Sequence, residues 1–143
     1  MKEYRVPYSP TPKQQLFHAS TADEVLFGGA AGGGKSKAIV MDAFFRCLLY
    51  PRTYAYVFRR TYGEMEDTII REARESYPKG LGKYNAARHE IELPNGSAIR
   101  FRHCANYDTI KYHRREACQH APHSTFAFLS YLHRAERREQ RSQ

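Results

Sequence analysis

The chain has 143 residues, enough for one domain with a core, and its 41% hydrophobic content is ordinary for a globular protein. No apolar run approaches the roughly eighteen residues of a membrane span, so we expect no membrane partner. Lys and Arg outnumber Asp and Glu by 23 to 15, and a net charge of +8 favours a polyanionic partner such as nucleic acid. The three cysteines, Cys47, Cys104 and Cys118, lack C-x-x-C spacing. They predict reduced thiols, as expected in the cytoplasm, rather than a disulfide framework.

The N-terminal segment predicts an extended arm followed by a short helix. Prolines stiffen residues 6–12, and the Thr11-Pro12 pair is typical of a helix start. The predicted helix continues through Gln14, Gln15, Leu16 and Phe17.

A glycine-rich segment fits the phosphate-loop pattern of Gly, four residues, Gly, Lys, then Ser or Thr. Its residues are Gly29, Ala30, Ala31, Gly32, Gly33, Gly34, Lys35 and Ser36. Residues 24–27 before it predict a buried strand, and residues 37–45 after it predict a helix. The apolar positions of that helix are Ala38, Met41, Phe45, Leu48 and Leu49.

This order of strand, loop and helix predicts binding of ATP with Mg²⁺. Backbone N–H groups of the glycine loop can surround phosphate oxygens, and the helix directs its positive end at them. We expect Lys35 to reach the β- and γ-phosphates and the Ser36 hydroxyl to be one ligand of Mg²⁺.

The next segments predict further sheet and helix. Residues 54–58 have the aromatic and β-branched composition of a strand. Thr61 and Glu64 match a capping box, followed by Met65, Ile69 and Ala73 at four-residue spacing. Residues 94–97 read Pro-Asn-Gly-Ser between two alternating apolar runs, which predicts a hairpin. The fold class is therefore α/β: a P-loop NTPase core of parallel sheet with flanking helices, incomplete, with a β-hairpin and an irregular C-terminal tail.

Four of these motifs in this order resemble the ATPase domain of the tailed-bacteriophage terminase large subunit. They are residues 12–14 (Pro-Lys-Gln), 26–36 (the loop with its preceding Leu-Phe-Gly), 58–61 (Phe-Arg-Arg-Thr) and 94–97. The resemblance covers roughly residues 4–113. It implies an ATP-driven motor that threads phage DNA into a capsid, located in the host-cell cytoplasm. It also implies as partners double-stranded DNA, the portal, a small terminase and further copies in a ring.

The resemblance assigns roles to particular residues. Gln14 is similar to the glutamine that recognises the adenine edge, with Gln15 as the alternative if the helix is turned by one position. A carboxamide can donate to adenine N7 and accept from N6, which guanine does not satisfy. Arg59 and Arg60 follow a predicted parallel strand, and the resemblance implies an arginine finger or a DNA contact there.

The sequence departs from the family after residue 113. The family continues into an apolar strand ending in Asp-Glu, whereas here Asp108 is the last aspartate, and the nearest apolar run, residues 126–129, precedes Ser130 and Tyr131. We therefore expect residues 1–113 to be the N-terminal part of an ATPase domain and residues 114–143 to be an atypical, basic, disordered tail, produced by a frameshift or truncation. ATP is then bound without complete catalysis. The alternative is a nucleotide- or nucleic-acid-binding module without turnover.

Two further hypotheses stay open. Glu64, Glu66 or Asp67 could supply a substitute carboxylate, although acidic residues in a first helical turn also stabilise the helix dipole. A zinc site could also form in the tail, since thiolate and imidazole are suitable ligands. Its residues would be Cys118, His120 and His123 with Cys104 or His103.

Overall fold

The computed structural model describes residues 3–22, 25, 27, 34–104, 106, 108, 109, 111, 112 and 115, and the backbone of residues 125–128. Its architecture is α/β, with helices packed against a mixed sheet. The main core lies between the sheet and the helices on one of its faces. Among the described residues, no helix combines the length and apolarity needed to cross a membrane.

The first helix is where the sequence predicts it. Helix α1 spans Pro12–Ala19, with Thr11 as its N-cap. The Thr11 hydroxyl accepts from the Gln14 backbone N–H, and the Gln14 side chain accepts from the Thr11 N–H. This reciprocal pair satisfies two backbone donors and defines the start of the helix.

Helix α2 spans Lys35–Leu49 and confirms the helix predicted after the glycine loop. Of the five apolar positions named for this helix, Leu48 and Leu49 are 39% and 71% exposed. Val40, Phe44 and Cys47 are buried in the core instead. The helix carries more apolar residues than one stripe can hold, and contact with the sheet selects which stripe is buried.

The sheet has the strand order β2-β3-β4-β1-β5. Strand β1 pairs in parallel with both β4 and β5, whereas β2, β3 and β4 are successively antiparallel. The strand predicted over 54–58 and the hairpin predicted around 94–97 are both confirmed. The strands are β1 (Tyr54–Arg59), β2 (Lys83–Asn85), β3 (Glu90–Glu92), β4 (Ala98–His103) and β5 (Thr125–Phe128).

A helical segment follows β1 and packs beside α2. It consists of α3 (Tyr62–Glu64), a π-helical turn (Met65–Ile70) and α4 (Arg71–Ser76). The Thr61 hydroxyl accepts from the Glu64 N–H, as the predicted cap requires. The residues at four-residue spacing, Met65, Ile69 and Ala73, are all fully buried. The π-helical turn was not predicted, because a widened turn depends on packing rather than on residue spacing.

The strand predicted over residues 24–27 is not found at the two residues that the structure describes there. Val25 and Phe27 are not in a strand, and Val25 is 44% exposed. The Phe27 ring instead stacks on Phe17 of α1 with 5.2 Å between ring centroids. Strand formation depends on pairing with a neighbouring strand, which local composition does not specify.

Strand β5 lies inside the segment that we predicted to be a disordered tail. Its four residues pair in parallel with residues 55–58 of β1. The placement of this segment in the sheet was not expected from the sequence. The domain boundary at residue 113 stays a prediction.

Candidate functional site

The start of α2 is a glycine in a left-handed conformation. Gly34 is the N-cap residue, with φ of 72° and ψ of 18° in the left-handed region. Glycine adopts this conformation without the steric cost that a Cβ brings. A Cβ at this position would also lie 2.6 Å from Nε2 of Gln14. Both constraints favour glycine at position 34.

The first turn of α2 is positively charged. Its N-cap residue, Gly34, has no side chain to cap the helix, and the turn contains Lys35, Ser36 and Lys37 but no acidic residue. Lysine at the positive end of a helix dipole is electrostatically unfavourable in isolation. Lys37 has an ion pair, with Nζ 3.5 Å from Oε1 of Glu72. The arrangement suits an anion bound at the start of the helix.

The other predicted loop residues lie outside the described part of the chain. They are Gly29, Ala30, Ala31, Gly32 and Gly33. Lys35 and Ser36 are described, and both are partly buried.

Gln14 is joined to this helix start. Its side chain is buried, its Oε1 accepts from the Thr11 N–H, and its Nε2 donates to the Gly34 carbonyl at 2.9 Å. The structure therefore brings two predicted site residues, Gln14 and Gly34, into direct contact. With the bonds found among the described residues, one N–H and one oxygen lone pair of the carboxamide are left for a ligand.

Gln15 occupies a different environment on the same helix. It is exposed, and its Nε2 donates to the Pro10 carbonyl at 3.2 Å. It faces a cavity of about 430 Å³. The cavity is lined by Tyr8, Pro10, Gln15, His18, Ala19 and Phe45.

A chain of polar side chains borders this cavity. The Tyr8 hydroxyl lies 2.9 Å from Nε2 of His18, and Nδ1 of His18 lies 3.0 Å from Oδ1 of Asp42. The other Asp42 oxygen accepts from Nε of Arg46 at 2.7 Å. Burial, and secondarily the charge of Asp42, raise the pKa of Tyr8, so its phenol stays neutral. We call these four residues the Tyr8–Arg46 chain.

The Tyr8–Arg46 chain was not predicted from the sequence, although two spacings place its members in pairs on helix faces. Gln14 and His18 are four residues apart and share one face of α1. Asp42 and Arg46 have the same spacing on α2. Which helix the polar face of α1 contacts depends on tertiary packing, so neither spacing identifies the partner.

Arg59 is the last residue of β1 and Arg60 follows it, at the edge where the carboxyl ends of the parallel strands lie. Arg59 is partly buried, and its Nη2 lies 3.4 Å from the Thr68 hydroxyl. Its Nε has no hydrogen-bond partner within the described part of the chain. Arg60 is exposed. The described contact of Arg59 is thus with the π-helical turn.

Three rings meet at the same edge of the sheet. The Tyr62 ring lies 4.7 Å from that of His89 and 4.6 Å from that of His103. His89 has a φ of 50°, a left-handed conformation that is uncommon outside glycine. Oε1 of Glu66, a candidate substitute carboxylate, is 3.6 Å from Nδ1 of His89. The sequence analysis did not predict this cluster.

The zinc hypothesis is not tested by the structure. Cys118, His120 and His123 lie outside the described residues. Within the described ranges, no three His, Cys, Asp or Glu side chains are grouped to hold a metal. Cys104 is buried, and its thiol donates to the Asn106 carbonyl at 3.2 Å.

Comparison with protein-family models, curated proteins and solved structures finds no match to this chain. A functional assignment therefore depends on the motifs and on the geometry at the start of α2.

Proposed function

We propose that this chain is the ATP-binding portion of a P-loop ATPase of the terminase large-subunit type. The observation that carries the proposal is the left-handed Gly34 at the start of a 15-residue helix, with Lys35 and Ser36 in its first turn. Together with the glycine-rich sequence before it, this arrangement supports binding of a phosphate chain.

Each group at the helix start has a separate role in this proposal. The backbone N–H groups of the first turn bind phosphate oxygens, and Lys35 adds a positive charge at the β- and γ-phosphates. The Ser36 hydroxyl supplies one oxygen ligand for Mg²⁺, which neutralises phosphate charge when bound. The glycine at position 34 lets the backbone turn into the helix without a steric clash.

The base of the nucleotide is recognised from α1. Gln14 is our candidate for the adenine edge, because it already contacts Gly34 and retains one donor and one acceptor. Gln15 is the alternative, because it faces the cavity beside Tyr8 and Phe45. Replacing each glutamine by alanine and comparing ATP with GTP binding distinguishes them.

Binding without turnover is the second candidate function, and the sequence at β5 favours it. In the terminase family, Asp-Glu at a strand end completes the Mg²⁺ shell and orients the attacking water. Here β5 pairs in parallel with β1, and the residues that follow it are Leu129, Ser130 and Tyr131. The motor function, with double-stranded DNA, portal, small terminase and ring assembly, is proposed from the resemblance alone.

Calorimetry with Mg²⁺-ATP tests the proposal through a pair of adjacent lysines. Lys35→Ala should weaken binding roughly 30- to 100-fold or more, because it removes a charged hydrogen bond to phosphate. Lys37→Ala is the matched control. This substitution removes a lysine from the same helical turn. Because Lys37 is ion-paired with Glu72, we expect the affinity for ATP to change by less than about threefold.

Unchanged affinity in Lys35→Ala, or equal losses in both variants, would contradict the proposed site. Phosphate release by the purified chain then tests whether the bound ATP is hydrolysed, and we expect no turnover. Turnover near one per second that disappears in Lys35→Ala would support a complete ATPase, since it lies in the usual enzyme range.

A further inference from the structure

Helix α1 is attached to α2 by two polar contacts on one face. Gln14 bonds to Gly34 at the start of α2, and His18 bonds to Asp42 two turns further along. Gln14 and His18 are four residues apart, and Gly34 and Asp42 are eight apart. Both spacings place the paired residues on one side of their helix. These contacts are directional, so they fix the rotation of α1 as well as its distance from α2.

The N-terminal arm joins the same contact through Tyr8. Nδ1 of His18 donates to the Asp42 carboxylate, and the other ring nitrogen, Nε2, is hydrogen-bonded to the Tyr8 hydroxyl. Arg46 bonds to the second Asp42 oxygen and limits rotation of that carboxylate. His18 and Asp42 are each less than a fifth exposed, so water competes weakly for these bonds.

We propose that Tyr8 and His18 are positioning residues for the phosphate-binding end of α2. They hold α1 in the rotation that directs Gln14 Nε2 to the Gly34 carbonyl. That carbonyl also accepts the first hydrogen bond of the helix, from the Ala38 N–H at 2.9 Å. The arm therefore acts on the backbone of the helix start, through side chains that do not themselves contact the phosphates.

The consequence for ligand binding depends on the proposed function. If ATP binds at the start of α2, a better-ordered helix start binds it more tightly. Binding free energies are linked reciprocally, so ATP must then stabilise the Tyr8–His18 contact by the same factor. If the Tyr8–His18 contact stabilised only the fold and did not affect the start of α2, ATP binding would not stabilise that contact.

The first measurement is made on the full chain without nucleotide. Tyr8→Phe removes only the hydroxyl, and we expect the Ala38 amide to exchange with solvent about three- to tenfold faster in NMR measurements. Tyr4→Phe is the matched control, because Tyr4 lies in the same arm and is exposed. It should leave that rate unchanged. An unchanged Ala38 rate in Tyr8→Phe would overturn the positioning role, whether or not ATP binds.

The second measurement is calorimetry with Mg²⁺-ATP. Tyr8→Phe should weaken binding about fivefold. His18→Asn keeps a donor for Asp42 but loses the acceptor for Tyr8, and it should weaken binding by a similar factor. The double variant should lose little more than either single variant, because both remove the same bond.

The two readouts separate the proposals. Faster Ala38 exchange in a protein that shows no Lys35-dependent ATP binding would support the positioning role and contradict the proposed function. Lys35-dependent binding that is unchanged by Tyr8→Phe and His18→Asn would support the proposed function and overturn the coupling. Additive losses in the double variant would also overturn it, since the two residues would then act separately.

Discussion

The two sides of α2 are held by different forces. One side packs Val40, Phe44 and Cys47 into the core against the sheet and the 62–76 segment. The other side faces α1 and carries Gly34 and Asp42, which bond to polar side chains of that helix. The free energy of apolar burial is roughly proportional to the apolar area removed from water and has no direction, whereas a hydrogen bond depends on distance and angle.

The two sides of α2 therefore have different roles: one determines the stability of the fold, and the other determines how α1 and the helix start are positioned. The apolar side supplies the free energy that keeps α2 on the sheet, so losses of volume there should unfold the protein. The polar side sets the position of α1 and of the helix start. Small changes there should alter binding at the start of α2 with less effect on global unfolding.

The largest expected decrease in the free energy of unfolding comes from Phe44→Ala, on the apolar side of α2. The Phe44 ring is fully buried and stacks on Tyr77 at a centroid distance of 4.5 Å. Its removal leaves a cavity and should lower the free energy of unfolding by about 3–5 kcal/mol in urea denaturation. Leu49→Ala, on the exposed end of the same helix, is the control and should change it by less than about 0.5 kcal/mol. Equal effects would contradict the distinction between buried and exposed positions on α2.

Cys47 should make the free energy of unfolding depend on pH in the alkaline range. Burial raises the pKa of its thiol from the ordinary value of 9.0 to about 12. Between these values the folded state keeps a proton that the unfolded state loses. The stabilisation is therefore complete below pH 9 and is lost as pH rises towards 12, by up to about 1.4 kcal/mol per pH unit. Urea denaturation at several alkaline pH values measures this slope.

Cys47→Ser is the control for this slope, because serine does not ionise in that range. Burial also raises the pKa of Tyr77, so part of the slope should remain in the variant. A slope identical to that of the unmodified chain would show that Cys47 ionises as freely in the folded state as in the unfolded state.

The smallest of these effects on stability is expected on the polar side, with Gly34→Ala. The left-handed φ and the contact with Gln14 should together cost about 1–2 kcal/mol. Gly63→Ala is the matched control, because no atom lies within 4 Å of a Cβ built there and its φ is not positive. It should be neutral or slightly stabilising. If Gly63→Ala lowered the free energy of unfolding as much as Gly34→Ala, the left-handed conformation of Gly34 would not explain the effect.

Sequence reasoning succeeded where the determining interaction is local. The Thr11 cap, the Thr61 cap and the hairpin around Asn95 and Gly96 each depend on neighbours within a few residues, and all are found. It failed for the strand expected at Val25, which needs a paired neighbour, and for the π-helical turn at Met65–Ile70, which depends on packing. The sequence indicated that the run 126–129 was apolar, but it did not reveal β1 as its partner.

The candidate site shows the same contrast between local and long-range interactions. The loop pattern predicts Gly34, Lys35 and Ser36 as site residues, because the pattern is itself a local sequence, and their role stays a prediction. The Tyr8–Arg46 chain joins three segments that are distant in the sequence, and no spacing within one of them identifies the others. Gln14 was selected for a base contact, and its bond to Gly34 became visible only in the folded chain.

The position of β1 inside the sheet has a consequence for synthesis of the protein. Strand β4 supplies one neighbour of β1, while β5 on its other side is made only after residues 125–128 leave the ribosome. Until then, the β1 edge that β5 later covers is available to other strands, and the strand carries Tyr54, Tyr56 and Phe58 with no charge before Arg59. Such an edge is a template for intermolecular pairing. The nascent chain therefore passes through an interval in which aggregation competes with completion of the sheet, and slower translation across residues 104–124 would lengthen it.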